Sequence, residues 1–101
     1  VVVKHHPNAF LETDLKARID RHPDAPLVIA GMMTSMCVDA TVRAASDLGY
    51  TVSVAADACA APDLEYGGTR VAGADVHAAF LAALGSAYAH VATVDDLIGA
   101  L

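Results

Sequence analysis

Two cysteines in 101 residues are too few for a disulfide framework, which makes a reducing cytoplasm the expected compartment. Basic residues are scarce as well: 6 Lys and Arg against 12 Asp and Glu give a formal net charge of −6, with no basic cluster. Nucleic acid and anionic membrane surfaces are therefore disfavoured as partners. No apolar run approaches the ~20 residues of a membrane span, and no signal-peptide pattern is present. Proline (4) and glycine (7) are not in excess beside a hydrophobic content of 55 %, which argues against disorder and for one soluble, globular domain with a modest core. Repeats, low-complexity tracts and interdomain linkers are missing. So is an initiating Met: the chain opens on Val1-Val2-Val3, a buried-strand pattern. The expectation is that 1–101 is a single partial domain, the C-terminal part of a longer chain.

What is present is a regular alternation of strand and helix signals. Val1–Lys4 reads as a strand. Leu15–Arg21 reads as a short helix with Thr13 as N-cap, ended near Pro23 and Pro26. The continuous apolar run Leu27-Val28-Ile29-Ala30, closed by Gly31, is what a parallel strand covered on both faces looks like. Thr34 and Ser35 are N-cap residues for a helix to Leu48, with Met36, Ala40, Ala44, Ala45 and Leu48 on its apolar face and Asp39, Arg43 and Asp47 opposite. Thr51–Ala55 is a strand ending before Asp57, and Pro62–Gly68 a loop. A helix over about Val71–Leu84 stops at Gly85, Ala89–Ala92 is a strand, and Thr93 caps a last helix, Val94–Leu101. This order predicts an α/β fold: a parallel sheet of about four strands with right-handed crossovers and helices on both faces, a three-layer α/β/α, Rossmann-like arrangement.

Within that frame the run Gly31-Met32-Met33-Thr34-Ser35-Met36-Cys37-Val38 carries the chemistry. It puts Cys37 at the first turn of a helix directly after a strand, among backbone N–H groups at the positive end of the helix dipole. Such a site favours thiolate over thiol, and the same N–H groups can hold a developing oxyanion. The competing explanation is a small buried hydrophobe, which most free cysteines are. Cys59, in the Ala-rich stretch Ala55–Ala61, has no comparable context and reads as structural. Ligands of such sheets bind beyond the carboxyl ends of the strands, and Lys4 and Cys37 both point to that edge. There a lysine can stabilise a thiolate; alone, it is an ordinary solvated strand end.

Lys4-His5-His6-Pro7-Asn8-Ala9-Phe10-Leu11-Glu12-Thr13-Asp14-Leu15 resembles the "K-x-x-x-(S/N)-A-F-x-x-T-x-L" stretch of isochorismatase-like cysteine hydrolases. Gly31–Val38, followed by Thr41, Arg43, Ala44 and Asp47-Leu48-Gly49-Tyr50, is similar to that family's cysteine segment. Asp57-Ala58 and His77–Leu84 also fit its later pattern. The resemblance implies a hydrolase of small-molecule amides or related bonds, with Cys37 as nucleophile and Lys4 as the catalytic lysine. It further implies a cis peptide between Met32 and Met33 and an oxyanion hole made of the Met33 and Cys37 backbone N–H groups. Met32 and His5 are the weaker candidates for substrate contact. No cofactor and no metal are expected: Asp75-Val76-His77 has the spacing of one family branch's metal motif, but it lies within a helix far from the cysteine in sequence. The family's catalytic Asp lies upstream of its lysine, and Asp14, Asp39, Asp57 and Asp63 occupy other positions. The alternative function is accordingly a non-catalytic remnant of the fold that serves in assembly. A homo-oligomer is expected, with Ala58–Gly68, including Leu64 and Tyr66, as the contact.

Overall fold

The computed structural model describes residues 1–100. Three parallel strands form the central sheet in the order β1-β2-β5: β1 is Leu27–Met32, β2 Val52–Ala60 and β5 His90–Ala92. Along β1 the side chains alternate, with Leu27, Ile29 and Gly31 turned toward the protein and Val28, Ala30 and Met32 turned away. The core therefore lies on one face. Val52 and Val54 of β2 meet Val38, Val42 and Ala45 from one helical segment and Leu84 from another, with Ile29, Leu81, Tyr88 and Val91 packed around them. The first segment is a π-helical turn, Thr34–Val38, running straight into α2, Asp39–Asp47; the second is α3, Gly73–Ala87. The last helix, α4 (Val94–Gly99), leans on the opposite face beside Val28 and Ala55. Helices thus flank a parallel sheet, as the strand–helix alternation predicts.

Several local expectations are corrected. Residues 1–4 form no strand: a strand is held by ladder bonds to a neighbour, and among the described residues none lies beside them, so Val1 and Val3 stand exposed. The parallel sheet thus has three strands instead of about four. Nor is β1 covered on both faces, since Val28 is 54 % and Met32 70 % exposed. The first helix, α1, spans Leu15–Ile19. Its N-cap is Asp14, while Thr13 Oγ1 accepts the Leu15 N–H at 3.3 Å.

The strand read as ending before Asp57 continues to Ala60. It does so through a bulge: Ile29 pairs with Val54 but Gly31 pairs with Cys59, so two steps of β1 span five of β2. Gly31, at φ +131°, takes a backbone conformation there that a side chain would oppose. The segment read as a loop is an antiparallel ribbon, β3 (Leu64–Tyr66) with β4 (Thr69–Val71). Its two-residue link, Gly67-Gly68, has positive φ at both positions, as tight hairpins require. Asp63 anchors the ribbon, accepting from Arg70 Nη2 at 2.7 Å and from the Gly73 N–H at 2.7 Å. Both contacts hold its carboxyl below the usual carboxylate range, Arg70 most of all. Gly85 does not stop α3, which runs on to Ala87. Thr93 caps α4, its side chain accepting the Asp96 N–H at 3.1 Å. Leu101, placed in that helix by sequence, lies outside the described residues.

Candidate active site

The segment that carries the candidate site residues follows the carboxyl end of β1. The Met32–Met33 peptide is cis, and the chain then closes a wide turn: the Met33 carbonyl accepts from both the Met36 N–H at 3.0 Å and the Val38 N–H at 3.2 Å. The second bond, from i+5 to i, makes this a π turn. Along this turn and α2 the buried positions are Val38, Val42 and Ala45, whereas Met36 is 48 % and Leu48 44 % exposed; of the expected apolar face only Ala45 is buried. Thr34 and Ser35 are not caps. The N-cap is Met33, without a side-chain bond, and both hydroxyl residues turn inward. Thr34 is fully buried, its Oγ1 2.8 Å from Nδ1 of His77 on α3. The buried Ser35 Oγ has no partner among the described residues.

This turn aims Cys37 at the segment that carries Lys4. The Lys4 Nζ donates to Cys37 Sγ at 3.3 Å and to the His6 carbonyl at 2.9 Å. The segment is tied to α2 by Thr41, whose Oγ1 accepts the Ala9 N–H at 3.0 Å and donates to the Pro7 carbonyl at 3.2 Å. Asn8 adds a local turn, its Oδ1 accepting the Phe10 N–H at 3.0 Å, and Phe10 stacks on Tyr50 with ring centroids 6.1 Å apart. Between the segment and the sheet lies a cleft of about 200 Å³ lined by Lys4, Ala9, Gly31, Met32, Cys37 and Thr41, among others. That is smaller than the ~300–1,000 Å³ of typical ligand sites, so it fits a small molecule or part of a larger site.

Of the residues singled out in the sequence, Lys4, Cys37 and Met32 are brought together at this cleft. His5 is not: it is exposed and lies outside the lining, while His6 Nε2 sits 3.2 Å from Glu12 Oε2. The Met33 backbone begins the π turn. Cys59, a strand away, packs against the core, and burial pushes its thiol up despite a hydrogen bond with the Gly31 backbone. No carboxylate lines the cleft among the described residues, nor do three or more His, Cys, Asp or Glu side chains cluster as a metal would need. Asp75 is exposed in the first turn of α3, and His77 is turned to Thr34 instead. The roles of Thr41 and His77 were not legible beforehand. Both act across the fold, and only their place in the family pattern drew notice.

The sequence matches the isochorismatase domain over residues 1–96. It is 45 % identical over 98 residues to YddQ, an uncharacterised isochorismatase family protein of Bacillus subtilis, covering 97 % of this chain and 54 % of that one. A crystal structure assigned as an isochorismatase hydrolase from Oleispira antarctica superposes with a TM-score of 0.93 at 56 % identity, over 98 % of this chain and 52 % of that one. A cysteine hydrolase from Pseudomonas syringae pv. phaseolicola superposes with a TM-score of 0.92 at 27 % identity, over 97 % and 46 %. The chain thus spans about half the length of these proteins.

Proposed function

The chain belongs to the isochorismatase family, and from that membership we propose that it carries the nucleophilic half of a hydrolase acting on a small-molecule amide or related bond. The observation that carries this reading is the Lys4–Cys37 pair at 3.3 Å on the wall of a small cleft. An ammonium so close to sulfur puts positive charge where a thiolate's negative charge must sit. Cys37 attacks the carbonyl carbon, and the backbone N–H groups of Met33 and Cys37 receive the oxyanion. The C–N bond breaks, ammonia or an amine leaves with a proton, and a thioester remains. Water then splits the thioester into a carboxylic acid and the free thiol. Met32, 70 % exposed at the cleft, meets the substrate from the sheet side.

Protonating the leaving group and activating water need an acid/base. No carboxylate among the described residues lines the cleft to fill that role. The same observation favours a second reading, in which the chain is a non-catalytic member of the fold serving in assembly. Its contact would be the β3–β4 ribbon, where Leu64, Tyr66 and Val71 share one exposed face. Two free thiols suit a reducing compartment such as the cytoplasm.

The deciding experiment assays the product of the natural gene for ammonia or amine release from a panel of small amides, alongside Cys37→Ala. Release that disappears in the variant supports the hydrolase. An unmodified Cys37 with no release from any amide, in a protein that self-associates, supports the second reading.

A further inference from the structure

Cys37 does not choose its own direction. It is the fourth residue of a π turn whose first residue, Thr34, is fully buried and whose Oγ1 meets His77 Nδ1 at 2.8 Å. His77 stands 43 positions further on, in the 15-residue helix α3, which is set against the core by the buried side chains of Val76 and Leu84. The turn is thus pinned to a rigid platform through one side-chain pair. That pin matters more because of Ser35. Its hydroxyl is buried beside Thr34 with no partner among the described residues, so the turn already holds one unsatisfied polar group. Losing His77 would leave two consecutive buried hydroxyls unpaired, and the turn would gain by opening to hydrate them.

We infer that His77 is a positioning residue: through Thr34 it holds the Met33–Val38 turn in the form that presents Cys37 to Lys4 and the cleft. This deepens the hydrolase reading above and rests on it, since the direction of Cys37 matters to function only if Cys37 is the nucleophile. A neutral imidazole can accept a hydrogen bond from the Thr34 hydroxyl at Nδ1. An Asn side chain places a polar atom close to where Nδ1 lies, while Leu fills similar space without one.

The test compares wild type with His77→Leu, Thr34→Val and His77→Asn in two measurements. One is the iodoacetamide alkylation rate of Cys37, with Cys59 as internal reference; the other is amide hydrogen exchange of Met36 and Val38, whose N–H groups bond to the Met33 carbonyl. His77→Leu and Thr34→Val should each slow Cys37 alkylation and speed exchange of these amides by about tenfold, the scale set by leaving a buried hydroxyl-bonding partner unpaired. Cys59 should change little, the double variant should be no worse than either single one, and His77→Asn should behave as wild type. The inference is overturned if His77→Asn is as impaired as His77→Leu, because packing alone then explains the residue. Unchanged alkylation and exchange in folded His77→Leu also overturn it. So does failure of both His77→Leu and Thr34→Val to fold, because the bond would then hold the domain together and not the turn in place. A wild-type Cys37 no faster than Cys59 would break the nucleophile reading alone, and the exchange data would still decide the role of His77.

Discussion

Cys37 and Cys59 lie at the same end of neighbouring parallel strands, with Gly31 of β1 paired to Cys59 of β2, yet they are placed for opposite fates. Cys37 leaves the sheet in a π turn, meets the Lys4 ammonium at 3.3 Å and lines a cleft. Cys59 stays within a strand, packs against the core, and has its thiol pushed up by burial. Position at a strand end is shared by both thiols and does not by itself set Cys37 apart. The turn that lifts it out and the cation that meets it are what differ between the two sites.

Four experiments bear on that contrast, beginning with the largest effect. In the natural gene product, Cys37→Ala should lower amide hydrolysis by at least about a thousandfold, as expected for loss of a covalent nucleophile, whereas Cys59→Ala should leave it within about twofold. Comparable losses in both variants would erase the distinction. Next, Lys4→Met should slow alkylation of Cys37 by about tenfold at neutral pH through loss of the adjacent charge, leaving Cys59 untouched; Lys4→Arg should fall between. Equal rates in wild type and Lys4→Met would mean that the cation does not govern the thiol.

The third is a pH profile. Because burial raises the Cys59 pKa above its ordinary 9.0, its alkylation should inflect at a higher pH than that of a free thiol. Folding favours the protonated form here, so this group's contribution to stability is complete below the unfolded value and is lost as pH rises through the folded one. Urea midpoints should therefore decline less above pH 9.0 in Cys59→Ala than in wild type. The smallest effect belongs to the ribbon, whose Asp63 has no contact with either thiol among its hydrogen bonds. Arg70 and the Gly73 N–H lower the Asp63 pKa, so its contribution is present above the carboxylate range and is lost on acidification. Asp63→Asn should lower the thermal midpoint slightly at neutral pH and not at low pH, with the Cys37:Cys59 labelling ratio unchanged.

How far these features could be read in the sequence depends on what each one rests on. The strands β1 and β5 and the cap at Thr93 are local: a short apolar run, or one hydroxyl before an acidic turn, suffices to specify them. Lys4 and Cys37 were legible as a pair because ligands gather at the carboxyl edge of parallel strands. The side-chain phase of α2 was not. Two apolar sets share the helical spacing, one through Met36, Ala40 and Ala44 and one through Val38, Val42 and Ala45, and only packing against the sheet decides that the second is buried. The burial of Thr34 was hidden for a different reason: its partner, His77, is 43 positions away, and Thr34 had a plausible local explanation as a helix cap. The ribbon was missed because two three-residue strands flanking Gly-Gly carry the same composition as a loop.

The Gly67-Gly68 link turns the chain tightly at the tip of a ribbon whose strands are exposed throughout, and Asp63 ties its base to α3 by way of Gly73. A short peptide tag or a second domain spliced between those two glycines would find open space and a base that stays clamped. Such a graft gives the molecule a handle for labelling or immobilisation at the ribbon tip, and a bulky one tests by steric blocking whether the exposed face of Leu64, Tyr66 and Val71 takes part in assembly.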